Sequence, residues 1–244
     1  MLKFIFLGIV QGLTEFFPVS SSGHLYLLKR LFTIKEDYSS FFILLHIATL
    51  FAILVFLFSR LKLLFNKKLF PQICLITIIT GVIGLFIRHY LKVFFDNKYL
   101  LAVCLIINSG ILLSITNKYS KRNLESLGLK DSLIIGLLQS ISLFPGISRS
   151  GITIAGFLKR GFSPDSAFVL SFLIAIPAIL GAFVLEIKEL VHTSISFREN
   201  FLGFLFAFLS AFVALGIVKK LLIMRKFKNF AYYCIILSLF SLFV

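Results

Sequence analysis

Tryptophan is absent from the 244 residues, cysteine occurs three times and proline five, and charged residues make up only 14% of the chain. Each shortage excludes a class of protein. Cys74, Cys104 and Cys234 stand far apart within apolar runs. They offer no paired metal-ligand spacing and no disulfide framework, so they are assigned to packing. A soluble domain carries roughly 25% charged residues, and the deficit here excludes an ordinary water-soluble fold as well as a disordered chain. What the sequence has in excess is apolar: 59% of its residues are hydrophobic, 31 of them phenylalanine. The apolar runs are long enough to cross a bilayer, so lipid is the expected solvent for most of the surface. Lys plus Arg number 25 against 10 Asp plus Glu, a formal net charge of +15. One basic patch on a wet face would point to nucleic acid. The basic residues instead form short clusters between apolar runs, so membrane lipids with anionic headgroups are expected as partners and nucleic acid is not.

Six stretches, 41–59, 70–88, 99–117, 165–186, 200–218 and 229–244, read as spanning helices. Two further apolar regions, 2–32 and 131–160, are each cut by a Pro/Ser/Gly cluster. Pro18 with Ser20, Ser21 and Ser22 cuts the first, and Pro145 and Gly146 with Ser148 and Ser150 the second. Proline disfavours helix at the residue before it, and serine caps the helix that follows. Arms 2–16 and 24–32 would reach roughly 22 Å and roughly 13 Å at 1.5 Å per residue, less than the ~30 Å hydrocarbon core. Each region is therefore expected to be a re-entrant hairpin. Loop 60–69, with Arg60, Lys62, Lys67 and Lys68, and loop 219–228, with Lys219, Lys220, Arg225, Lys226 and Lys228, are expected inside; loop 187–199, with Lys188 and Arg198, is expected outside. That threading closes only if both hairpins return to the face they entered. A cleaved signal peptide over Met1 to Val10 is the competing reading, and no small-residue cleavage site follows it.

Sliding the chain against itself by 128 residues matches Gly8, Gln11, Phe16, Ser20, Ser22 and Gly23 with Gly136, Gln139, Phe144, Ser148, Ser150 and Gly151. Two residues of slippage later, Leu28, Lys29, Arg30 and Phe32 match Leu158, Lys159, Arg160 and Phe162. Each half would hold one hairpin and three spans, and an odd number of spans inverts one half relative to the other. The expected fold is an all-α polytopic membrane protein of six transmembrane helices and two re-entrant helical hairpins in an inverted repeat. A single integral membrane domain would cover 1–244, with halves of about 1–117 and 131–244.

Inverted repeats with broken helices place their ligand where the breaks meet, because half-helix N-termini present unpaired N–H groups and a positive dipole end. Ser/Gly-rich turns at helix starts suit phosphate in particular. The breaks read QGLTEFFPVSSSGH, Gln11 to His24, and LFPGISRSGIT, Leu143 to Thr153. Their two formal charges, Glu15 and Arg149, are costly at membrane depth and imply a cavity and a partner. Gln11 and Glu15, four apart, share a helix face. Where the repeat diverges, Glu15 stands against Leu143 and Ser21 against Arg149. One half thus supplies a carboxylate and a candidate nucleophile, the other a guanidinium able to clamp two phosphate oxygens. His24 can act as acid, base or hydrogen-bond partner. His46, His89 and His192 are assigned to structure.

The two motifs together resemble those of the undecaprenyl-diphosphate phosphatase family associated with bacitracin resistance, with length and span pattern agreeing along nearly the whole chain. The resemblance implies an integral membrane enzyme of the bacterial inner (plasma) membrane that hydrolyses undecaprenyl diphosphate to undecaprenyl phosphate and phosphate. That recycles the carrier lipid for cell-wall synthesis. It implies catalytic roles for Glu15, Ser21, His24 and Arg149, and substrate binding by Gln11, Ser20, Ser22, Gly23, Ser148, Ser150 and Gly151. A divalent cation, Mg²⁺ or Ca²⁺, would be held through Glu15. Many members have Glu where this chain has Gln11. The site is expected to open to the outer face, and a homo-oligomer is compatible with the pattern. Ser21 attacks the terminal phosphorus, or water attacks directly with Ser21 as a ligand. A transporter or flippase of a polyprenyl phosphate or other anion is the alternative function, since facing hairpins also build transporters.

Overall fold

A computed structural model describes residues 1–32, 38–95, 97–115, 121–186 and 195–244, with side chains of 39, 88, 89 and 91–95 left aside. His192, Lys188 and the side chain of His89 fall outside the described residues. The helices are α1 (Leu2–Phe16), α2 (Ser21–Leu31), α3 (Ser39–Phe56), α4 (Leu69–Phe95), α5 (Lys98–Leu113), α6 (Leu129–Ile141), α7 (Arg149–Lys159), α8 (Pro164–Glu186), α9 (Phe197–Ile223) and α10 (Phe230–Phe243).

Both expected interruptions are present. α1 ends at Phe16, Phe17 turns to extended backbone ahead of Pro18, and Ser20 caps α2 through the N–H of Gly23. α6 ends at Ile141, and Ser148 caps α7 through the N–H of Gly151. Gly146 sits between them at φ 96°, a backbone that a Cβ would strain.

α1 packs along α9 and α6 along α4, so the first helix of each half lies on the fourth helix of the other. Repeat-related glycines sit at these crossings. A Cβ on Gly8 would lie 2.4 Å from the carbonyl oxygen of Gly203 on α9, and one on Gly136 would lie 2.9 Å from Ile79 on α4. Without a hydrophobic drive between helices in lipid, close backbone approach and van der Waals packing hold such pairs. α3 also packs on α9, and α5 on α10. Buried Phe16, Phe168 and Phe172 meet edge to face at 5.3 and 4.8 Å in the largest apolar cluster.

At the ends of α6 and α7 remote from the break, Asp131 accepts hydrogen bonds of 2.7 Å from Arg122 Nη2 and 2.7 Å from Arg160 Nε. The Arg122 guanidinium also lies 4.3 Å from the Phe162 ring centre. This staple fastens the two ends of the second broken region together.

Among the described residues three helices are long and apolar enough to cross a membrane: Leu69–Ile87, Pro164–Glu186 and Phe197–Ile223. α3 and the short 3₁₀ stretch Phe58–Phe65 make a fourth only as a pair bent by 93°. α5 and α10 are shorter apolar helices. The chain is thus all-helical among the described residues, with three to four candidate spans, and the expected 41–59 run turns sharply after Phe56.

Replacing Gly8 by Val would force α1 away from the Gly203 backbone, and overpacking of this kind costs roughly 1–3 kcal/mol. Thermal unfolding in detergent should show a lowered midpoint, and an unchanged midpoint would contradict the close approach of α1 to α9.

Candidate active site

The carbonyls at the end of a helix have no intrahelical partner, and within an apolar medium they need one. Here the other break supplies it. Ser150 Oγ donates to the carbonyl of Phe16 (3.0 Å) and Ser148 Oγ to that of Phe17 (3.5 Å). The Gly146 N–H donates back to Ser20 Oγ (3.1 Å). Asn108, buried midway along α5, joins both breaks: its Nδ2 donates to Pro18 O (2.9 Å) and its Oδ1 accepts from Ser148 N (2.9 Å). The two breaks are one cross-linked unit.

That unit sets Glu15, at the end of α1, against the start of α7. Arg149 Nη2 donates to Glu15 Oε1. Ser21 Oγ donates to Glu15 Oε2 at 2.7 Å, and Gln11 Nε2 to the same oxygen at 3.0 Å. Glu15 is 7% exposed, so these partners replace the water that its charge would otherwise need. Glu15, Ser21, Ser22, His46, Ser148 and Arg149 line a cavity of about 1390 Å³, whose walls continue through apolar Leu25, Phe42, Ile43, Ile47, Ile179 and Phe183.

A family model described as bacitracin resistance protein BacA matches residues 4–240. The chain belongs to the bacitracin resistance protein BacA family. It is similar to proteins named undecaprenyl-diphosphatase from Thermosipho melanesiensis, 40% identical across 97% of this chain and 96% of the relative, and Thermosipho africanus, 40% identical across 98% of each. A protein of the same name from Methanococcus maripaludis strain C6 is 36% identical across 98% of each. The family and the apolar helices together make this a multi-pass membrane protein.

In this BacA-family chain the motif residues divide into two sets. Glu15, Ser20, Ser21, Ser22, Ser148 and Arg149 stand on the cavity wall, while Gln11, Gly23, His24, Ser150 and Gly151 stand behind it. Gln11 steadies Glu15, and Ser150 satisfies Phe16. His24 packs away from the cavity: its Nδ1–H donates to Ser20 O at 2.7 Å, and its Nε2 accepts from Tyr233 Oη at 2.7 Å, with the two rings stacked. Ser20 needs that support. Its φ of 67° is left-handed backbone, which costs a residue other than glycine on the order of 1–3 kcal/mol.

The helix-start donors are also partly spent. Gly151 N–H goes to Ser148 Oγ, Gly23 N–H to Ser20 Oγ and Ser148 N–H to Asn108. His46, which the sequence assigned to structure, faces the site, with Nδ1 on the carbonyl of Phe42 (2.8 Å) and Nε2 3.6 Å from Glu15 Oε2. Asn108 and His46 share one signal that could have found them, a polar side chain in the middle of an apolar run.

Asn108→Ala would leave the Ser148 N–H and the Pro18 carbonyl buried without these partners, at roughly 1–3 kcal/mol each. A large fall in the detergent unfolding midpoint is expected, accompanied by loss of the site's activity. A midpoint matching the unmodified protein would show that the breaks hold together without it.

Proposed function

We propose that this chain hydrolyses undecaprenyl diphosphate to undecaprenyl phosphate and phosphate, the activity named in its relatives. The observation that carries the reading is the meeting of Glu15, Ser21 and Arg149, from opposite halves of the chain, at one cavity wall. Such a site holds a pyrophosphate headgroup, and its apolar walls receive the isoprenoid tail. Ser21 Oγ already donates to Glu15 at 2.7 Å, the geometry of a nucleophile with its base.

In the proposed reaction Ser21 Oγ bonds to the terminal phosphorus as its proton passes to Glu15. The bond from that phosphorus to the bridging oxygen breaks, and the electron pair leaves with undecaprenyl phosphate. Glu15 passes that proton to the departing undecaprenyl phosphate. Water then bonds to the phosphoserine phosphorus as Glu15 takes its proton, the bond from that phosphorus to Ser21 Oγ breaks, Glu15 returns the proton to Ser21 Oγ, and phosphate departs. Arg149 is the fixed positive group for the phosphoryl oxygens, where preorganised charge is most effective. His24 acts from behind, by holding Ser20 and so the start of α2 in place.

Among the described residues no three His, Cys, Asp or Glu side chains cluster as metal ligands. A lone carboxylate beside a phosphate site fits Mg²⁺, which keeps several waters and takes one or two carboxylates with substrate phosphates; it does not fit an all-protein Ca²⁺ cage. Glu15 would hold the ion, a role alternative to accepting the Ser21 proton. Bound there, Mg²⁺ would supply further neutralisation of phosphate charge.

The membrane arrangement belongs to the same proposal: six spans, two re-entrant hairpins at 2–32 and 131–160, and halves inverted about the cavity. The crossed packing of α1 on α9 and α6 on α4 supports it, as does the clustering of Lys and Arg at 60–68 and 219–228. The cavity opens to the outer face of the plasma membrane.

Phosphate release from undecaprenyl diphosphate by purified protein in detergent, where no gradient exists, tests the reading. Glu15→Gln, Ser21→Ala and Arg149→Ala should each lower turnover on the order of 10²–10³-fold, the usual loss for a transition-state contact. Radiolabel from the terminal phosphate should appear on Ser21 in a single turnover. Unchanged turnover in all three variants would remove the site assignment, and a protein inactive without substitution would remove the function.

A further inference from the structure

The wall that α2 contributes to the cavity is Ser21, Ser22, Leu25, Tyr26, Lys29 and Arg30, a spacing that keeps one helix face toward it. Lys29 lies about 12 Å along the axis from Ser21 at 1.5 Å per residue. The two ends differ in character. Ser21 touches a buried carboxylate, whereas Lys29 and Arg30 occupy the exposed last turn. A diphosphate seated at Ser21 is too short to reach them, so their charge serves another step.

The internal repeat shows what is special about this end. Lys159, the last residue of α7, and Arg160 just after it are the matching residues, and there the staple acid Asp131 binds Arg160 Nε at 2.7 Å. The position that matches Asp131 in the first half is Lys3. Its ammonium goes instead to the hydroxyl of Tyr38 at 3.1 Å. Among the described residues neither Lys29 nor Arg30 has a carboxylate partner, and Arg30 Nη1 donates to Tyr26 Oη at 2.7 Å, a residue of the same cavity wall. Among the described residues one acidic side chain, Glu186, lines this cavity besides Glu15. Among the described residues, then, the staple acid closes the far hairpin, and the two cations at the exposed end of α2 stand without a carboxylate.

We propose that Lys29 and Arg30 are a capture station for the diphosphate headgroup of the incoming polyprenyl lipid, from which the headgroup passes along the Tyr26, Leu25 and Ser22 face of α2 to Ser21 and Arg149. The inference rests on the diphosphate phosphatase reading and adds where the substrate is first held. Uncompensated charge at the mouth of a low-dielectric cleft raises the local concentration and arrival rate of an anion by 10-fold or more. Because both side chains are exposed, salt screens the effect. Lys29 and Arg30 are thus specificity residues for capture, distant from the bonds that change.

The test uses the purified full chain in neutral detergent micelles with undecaprenyl diphosphate at low and high salt. In Lys29→Gln/Arg30→Gln, KM at low salt should rise about tenfold while kcat stays within about twofold. The gap from the unmodified protein should close at high salt. Lys159→Gln, which removes the exposed repeat-related cation, should match the unmodified protein. Excess inorganic phosphate distinguishes the captured species: with a station for lipid headgroups, competition by phosphate is the same in the double variant as in the unmodified protein, whereas a station for free phosphate would show competition that the double variant relieves, overturning the lipid assignment. An unmoved KM, a loss confined to kcat, or an equal effect of Lys159→Gln would also overturn the inference. If the unmodified protein shows no turnover, the phosphatase reading itself fails, a result distinct from normal turnover with an unmoved KM.

Discussion

Everything at the centre of this protein depends on how two interrupted helices satisfy their backbone ends away from water. The last carbonyls of α1 and the segment after it cannot turn to solvent, and the hydroxyls of Ser148 and Ser150 and the amide of Asn108 take its place. The bonds are cheap individually and costly to lose, because each broken one strands a polar group in an apolar surrounding. Their exchange between the two breaks fixes the start of α7 against the end of α1. Glu15 and Arg149 meet as a result.

The residues that match between the two halves of the sequence part company where chemistry is needed. Both halves keep the glycine at the close helix crossing, the glutamine one turn before the acid position and the capping serine. At the points of divergence one half carries Glu15 and Ser21, the other Leu143 and Arg149. A symmetric site would have set two carboxylates or two guanidiniums face to face. Divergence gives a base, a nucleophile and a cation instead, and an ion pair whose members each lower the cost of burying the other. The same logic operates farther out, where Asp131 ties the ends of α6 and α7 while Lys3 leaves the first half basic.

Several features were legible because they are local. Pro18 and Pro145 deny helix to the residues before them, and a serine N-cap three residues ahead of a glycine restarts it, so the positions of the breaks follow from short-range sterics. The pairing of Glu15 with Arg149 followed from the cost of isolated charge in lipid. The histidines were not separable on such grounds. His24 lies beside the serine cluster yet turns to Ser20 and Tyr233, and His46, remote in sequence, reaches Glu15. Which way an imidazole faces is decided by neighbours that come from other helices. The sharp bend after Phe56 and the end of α5 at Leu113, short of the expected 117, were hidden for a related reason, since an apolar run records burial in lipid or protein and does not record where a helix bends or ends.

From the residues alone came the membrane character, the two broken helices, the internal repeat and the charges that have to meet, all consequences of composition and short-range backbone preference. Tertiary structure alone decided which polar groups face the cavity and which hold it together. Ser20, Ser148 and Ser150 are alike in sequence, but hydrogen-bond partners more than a hundred residues away set their work. That allocation depends on long-range pairing of groups that must be satisfied somewhere, and no local pattern specifies with whom.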